Sequence, residues 1–156
     1  MDISKDLNEV SGLPLPGRLV SLIQSGKWPR TEDEAIGQNI RPVVPKERIH
    51  LFAPNEDRIY LFEPPFHTVA TRMLGAERDF WSRYGALEGI APELWLNIGA
   101  FGLGSDSAIL LDYRADRQNP AVIRLLWKHP GPNVWVRCAD DFDAFADMLG
   151  LDCERL

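Results

Sequence analysis

Cysteine is nearly absent from this 156-residue chain: Cys138 sits in an apolar run and Cys153 in a polar tail, which makes no disulfide framework. Long apolar runs are missing too, and none approaches the ~20 residues of a membrane span. The opening MDISKDLNEV carries two Asp and a Glu and has no apolar block, so it has neither the charge order nor the core of a secretory signal. The expectation is a reduced, cytoplasmic protein. A basic excess is also lacking, because 17 Lys and Arg face 23 Asp and Glu for a net charge of −6. That balance disfavours a phosphate backbone as a ligand, so neither nucleic acid nor membrane is an expected partner.

What the chain does have is apolar mass. It is 45% hydrophobic, with seven Phe, five Trp and three Tyr, and a chain of this size buries roughly 70% of its unfolded surface. One globular domain spanning 1–156 is expected, with no internal repeat. Eight of the twelve prolines fall within the first 65 residues and none between Phe66 and Ala91, so residues 1–65 should be loop-rich with short helices. Pro16, the apolar spacing of Leu19, Leu22 and Ile23, and Gly26 predict a helix near 17–25. Thr31-x-x-Glu34 has capping-box spacing, and Ile59 to Phe62 is a β-prone run stopped by Pro64-Pro65.

Val69, Met73, Ala76, Phe80 and Tyr84 recur at helical spacing, predicting the longest helix, which ends near Gly85. Beyond Pro92, the segments Ser107 to Tyr113, Val122 to Trp127 and Val134 to Cys138 predict three antiparallel strands joined by turn residues. Alternation sets Ile123, Leu125 and Trp127 against Arg124 and Lys128, and Val134, Val136 and Cys138 against Trp135 and Arg137. One sheet face should therefore be apolar and the other mixed. Phe142, Phe145, Met148 and Leu149 form the stripe of a closing helix from about Asp141, with Gly150 ending it and Leu151 packing back. The predicted class is α+β, a central antiparallel sheet packed by helices.

Chemistry is harder to locate. Gly99 to Ser107 is the only glycine-rich segment, but it matches neither phosphate-binding motif and leads into a strand, so it reads as a tight turn with positive φ. His50, His67 and His129 are scattered singly, so neither a metal nor a cofactor is expected. Ser105 or Ser107 with His129 and Asp106 has no nucleophile-elbow context, so no catalytic residue is assigned. Glu32, Asp33 and Glu34 suit a helix start. The charge is concentrated at one end: Asp140, Asp141, Asp143, Asp147, Asp152 and Glu154 against Arg155 give the last 17 residues −5. Asp143, Asp147 and Asp152 are the candidates for a contact with a basic protein, with Trp135 and Arg137 as a rival contact face.

From Phe80-Trp81 onward, a series of features follows in a particular order. They are Pro92-Glu93-Leu94, Ile98-Gly99-x-x-Gly102-Leu-Gly104-Ser105-Asp106-Ser107, Leu111-Asp112-Tyr113-Arg114, Asn119-Pro120-x-Val122, Trp127, Asn133-x-Trp135-Val136 and Asp141-Phe142-Asp143-Ala144-Phe145. Over roughly 80–151 this order resembles the SUKH superfamily, which includes the fungal cell-wall-assembly regulators of the Smi/Knr type and many bacterial immunity proteins. The resemblance implies an α+β fold without catalytic residues, and protein binding as the activity, commonly neutralisation of a toxin in polymorphic or contact-dependent systems. A regulatory scaffold, or a small-ligand or enzymatic domain using loop 99–107, is the alternative.

Overall fold

A computed structural model of the chain describes residues 9–10, 12–37, 59–72, 92–101, 107–126 and 134–151. Its first element is a small hairpin of β1 (Glu9–Val10) against β2 (Leu13–Pro14). Helix α1 (Gly17–Ser25) follows Pro16 and buries Leu19, Leu22 and Ile23. It ends where Gly26, at φ 80°, donates to the Ile23 carbonyl while Lys27 donates to that of Leu22. This double closure satisfies the orphan carbonyls of the last turn and requires the left-handed backbone that glycine adopts freely.

Helix α2 (Glu32–Gly37) is capped by Thr31, whose hydroxyl accepts from the Glu34 amide at 3.2 Å. The Glu34 carboxylate does not complete the box at Thr31. It accepts from the Arg30 amide and pairs with the Arg30 guanidinium instead.

The sheet is antiparallel. Its strands are β3 (Ile59–Leu61), β4 (His67–Thr68), β5 (Trp95–Phe101), β6 (Ser107–Asp112), β7 (Ala121–Leu126) and β8 (Val134–Ala139). The spatial order is β3-β5-β6-β7-β8, and β4 shares with β3 the outer edge of β5. Between β4 and β5 lie α3 (Val69–Arg72), whose amide at Thr71 is capped by the Thr68 hydroxyl, and a 3₁₀ turn (Pro92–Leu94). Helix α4 (Phe142–Met148) closes the described chain.

One sheet face carries the main core. Leu96, Ile98, Ile109, Leu111 and Val122 pack against Leu19 and Leu22 of α1 and Phe142 and Phe145 of α4. Trp28 is fully buried among them, 5.9 Å from the Phe142 ring and edge-on to Phe66 at 6.2 Å. Burying aromatics of this size contributes on the order of 2 to 3 kcal/mol each before entropy is counted. The opposite face holds a smaller cluster of Val69, Trp95, Ala108, Leu110, Ile123 and Trp135.

The α+β expectation is met, and so are the helices at 17–25 and from Asp141. The Asp141 carboxylate caps α4 by accepting from Ala144 at 2.8 Å. Gly150, at φ 68°, and buried Leu151 close its other end, through bonds to the carbonyls of Asp147 and Ala146. Cys138 is the small core residue expected of it.

Two expectations are corrected. Residues 95–101 form a strand that periodicity did not reveal, so Gly99 belongs to a strand and not to a turn with positive φ. Arg124, read from alternation as lying opposite the apolar face, sits on the main-core face across the ladder from Ile109, fully buried, and donates through its guanidinium to the Leu125 carbonyl. Within residues 1–65 the described parts carry the short helices α1 and α2, as expected, together with β1, β2 and β3. The predicted long helix is seen only at its start, Val69–Arg72, and the remainder lies outside the described residues.

Gly99 explains itself by distance. A Cβ there would meet the Tyr60 carbonyl oxygen at 2.6 Å, in the backbone of the paired strand β3. Gly99→Ala is therefore expected to destabilise the fold by about 1 to 3 kcal/mol, read as a lower urea midpoint. Gly17→Ala, in open space at the first turn of α1, should leave the midpoint unchanged or raise it by up to ~1 kcal/mol.

Candidate functional site

Proline has no backbone N–H, so it cannot continue a sheet ladder. Strand β3 pairs with β5 as far as Leu61 opposite Gly99, and the Phe62 amide still donates to the Ile98 carbonyl at 2.9 Å. Then come Glu63, Pro64 and Pro65. The chain leaves the sheet through 63–66 and regains the same edge at His67, opposite Asn97. The detour opens a cleft of about 500 Å³, lined by Glu32 of α2, by Phe62, Glu63, Pro64, Pro65 and Phe66 of the detour, and by Tyr60, His67 and Asn97 of the sheet.

The walls are fixed from behind. The Trp28 indole donates to the Phe62 carbonyl at 2.8 Å, and its ring packs on Phe66. Tyr60 and Phe62 meet edge to face at 5.9 Å. Asn97 is 3% exposed and gives its amide nitrogen to the carbonyls of Gly99 and Ile109, at 3.1 and 3.0 Å. That bond bridges the irregularity in the β5–β6 register between Asn97 and Gly99. The Asn97 amide oxygen has no partner among the described residues, and neither do the carboxylates of Glu32 and Glu63. Burial, followed by the charges of Glu63 and Glu32, raises the Tyr60 phenol above its ordinary range, which places both carboxylates within electrostatic reach of it.

A second constellation sits on the face of the smaller cluster. The Trp95 indole donates to Asp112 Oδ1 at 3.0 Å, and the Arg114 guanidinium grips both oxygens of Asp112, at 2.8 to 3.1 Å. Arg114 also lies over the Trp95 ring at 5.1 Å, and Trp135 packs on Trp95 at 5.0 Å. Burial alone would raise the Asp112 carboxyl. The side-chain, backbone and charge interactions with Arg114, together with the Trp95 bond, outweigh it and hold the carboxyl below its ordinary value. This cluster is structural: it joins the start of β5 to the end of β6.

The described residues singled out from sequence fall into two groups, Asp143 and Asp147 on α4 and Trp135 and Arg137 on β8. Asp143 is exposed on α4, and its carboxylate has no partner among the described residues. Asp147 is bound by Arg18 of α1 at 2.8 Å, and Arg18 also donates to the carbonyls of Asp143 and Leu151, so this carboxylate ties two helices together. Asp152 lies outside the described residues. Trp135 is half-buried against Trp95, and Arg137, exposed on the same face of β8, reaches Asp140 at 3.6 Å. Gly102 to Asp106 and His129 also lie outside the described residues.

Catalytic signals among the described residues are few. Burial pushes the Cys138 thiol up to about 12, despite the pull of Arg124, and this disfavours the thiolate a nucleophile needs. No group of three or more His, Cys, Asp or Glu is placed to hold a metal among the described residues. No helix among them is long and apolar enough to cross a membrane. The cleft itself was missed from sequence because Pro64-Pro65 read as a strand stop, whereas the extended chain resumes on the same edge.

Comparison with protein-family models, with curated proteins and with solved structures finds no match for the chain.

The Asp112 cluster sets a pH dependence whose sign is fixed. A carboxyl held lower in the folded than in the unfolded state stabilises the fold above its unfolded value, and that contribution is lost as pH falls through the folded value. Asp112→Asn should cost about 2 kcal/mol at neutral pH. The gap between the variant and the parent should then narrow as the pH is lowered below ~4. Urea midpoints of both proteins at neutral pH and near pH 3 measure this, and a gap that stays constant with pH would remove Asp112 from the acid sensitivity.

Proposed function

We propose that the chain is a non-catalytic protein-binding domain of the SUKH immunity type, which neutralises a partner toxin domain by covering a basic surface of it. The observation that supports this reading is how charge is distributed between inside and outside. Arg18, Arg30, Arg114 and Arg137 are each committed to a carboxylate of the same chain, and Arg124 is buried. Glu32, Asp33, Glu63, Glu93 and Asp143 have no such cation among the described residues. Among the described residues, carboxylates without a cation therefore outnumber cations without a carboxylate, and this leaves a local negative excess on the described surface.

A negative surface of this kind steers a basic protein and sets its register more than it adds affinity. The same reading places the protein in the cytoplasm beside the toxin it blocks. It also keeps the exposed Asp143 as a contact candidate and removes Asp147 from the first rank, because Arg18 already holds it.

Capture with the tagged chain from its native organism, followed by binding of the purified partner at rising salt, tests the proposal. The expected result is one stoichiometric basic partner whose toxicity is relieved by co-expression. Its affinity should fall at least about tenfold between low and moderate ionic strength. A partner bound with no salt dependence, or a chain that relieves no toxicity and is stabilised by a small metabolite instead, would overturn it.

A further inference from the structure

The carboxylates of the cleft have a feature that those of α4 lack, because they stand over an aromatic wall beside a buried acceptor. Glu32 and Glu63 reach it from two different segments, α2 and the 63–66 detour, and neither has a cation among the described residues. Tyr60 and Phe62 supply ring faces and edges. Asn97, only 3% exposed, lines the same space, and its amide oxygen accepts from no described group. Its nitrogen is occupied by two backbone carbonyls, so what remains is an acceptor only. No Lys or Arg is among the described residues that line the cleft.

Such a lining asks for a flat cation with several N–H donors. A guanidinium offers five donors in a plane, stacks on aromatic rings, and is more weakly hydrated than an ammonium, so it gives up less on entering a half-closed cleft. A carboxylate accepts it through two parallel bonds where the geometry allows. A cleft of about 500 Å³ holds one such side chain with part of its backbone, and is small for a second protein element.

We infer that the cleft between α2 and the Pro64-Pro65 detour is the receptor for an arginine side chain of the protein partner, held by Glu32 and Glu63, accepted by Asn97 and stacked on Tyr60 and Phe62. This assignment rests on the protein-binding reading above and names the chemistry of its central contact. His67, Pro65 and Phe66 complete the described lining. The arginine of the partner acts as the buried anchor, and the remaining surface carboxylates act as the steering rim.

The test uses the full chain, labelled with nitrogen-15, and needs no partner. Acetyl-Gly-Arg-Gly-amide is titrated while amide shifts are followed, beside the same peptides carrying citrulline or lysine and beside free spermidine. The expected result is saturable shifts at Tyr60, Phe62 and His67 and at the Asn97 side-chain amide. The arginine peptide should bind at least about fivefold tighter than the citrulline peptide, which keeps the shape and lacks the charge. The double variant Glu32→Gln, Glu63→Gln should weaken it about tenfold or more while shifts in α1 and α4 stay in place, which shows that the fold is kept.

Equal binding of citrulline, shifts confined to other surfaces, or an undiminished affinity in the double variant would each overturn the assignment. Tighter binding of spermidine than of any peptide would also overturn it, by making the cleft a site for a free polyamine. The two readings fail separately. A captured basic partner whose salt-sensitive affinity ignores the double variant would leave protein binding standing and remove the cleft from it.

Discussion

Strand β5 has to be paired along both of its edges, and most of the molecule follows from how that is achieved. On one side β6 runs beside it for its whole length, and on the other β3 and β4 divide the edge between them. Unpaired backbone groups in the interior of a sheet are costly, so the division must leave few of them unmet. The Phe62 amide fills one position between the two short strands. Asn97 fills others, by donating to the carbonyls of Gly99 and Ile109 where the register shifts. Gly99 lets β3 approach, because any side chain would enter the Tyr60 carbonyl. Three residues within the Asn97-Ile98-Gly99 step therefore hold the irregular edge together.

The motif positions that suggested a family do structural work in this fold. Asp112 lies at the end of β6. It receives the Trp95 indole and the Arg114 guanidinium, and so locks the strand ends around the 3₁₀ turn. Tyr113 carries this further, with its hydroxyl on the Pro14 carbonyl at 2.9 Å and its amide on that of Leu94, fastening the N-terminal hairpin to the sheet. Its burial raises the phenol well above its ordinary range, so the group stays neutral and serves as a donor. Asp141 caps α4, and Phe142 and Phe145 fill the core beneath it.

Local physics was legible in the sequence and long-range pairing was not. The ends of α1 and α4 were readable because Pro16, Gly26, Asp141 and Gly150 act within a few residues of themselves. Strands β6, β7 and β8 were readable from apolar runs between turn residues. Strand β5 was not, since Trp-Leu-Asn-Ile-Gly-Ala-Phe mixes a polar residue and a glycine into a segment buried on both faces, which erases alternation. Arg124 misled for a related reason. It occupies a polar position in the alternation, yet its guanidinium folds back onto the Leu125 carbonyl and its stem is covered. The pairing of Asp147 with Arg18 spans nearly the whole chain, so an acidic tail in sequence became a helix-to-helix tie in space.

The cleft shows how one local rule creates both a defect and a use for it. Two consecutive prolines in an otherwise pairable run remove one donor that would face β5 and one that would face away, and the chain leaves the sheet and returns. The excursion would collapse onto the core if nothing supported it, and Trp28 supplies the support by binding the Phe62 carbonyl and propping Phe66. What stays open on the outer side is bounded by whatever the excursion and its neighbour α2 carry, which is Glu63 and Glu32. Carboxylates placed there by chance would be drawn toward the arginines of the chain, as Glu34 is drawn to Arg30 one turn away and Asp147 to Arg18. These two are not, and the Asn97 amide oxygen also accepts from no described group, so the cleft is lined by two carboxylates and an amide with no Lys or Arg among its described residues. A surface that withholds its own cations from such a place is suited to receiving one from outside.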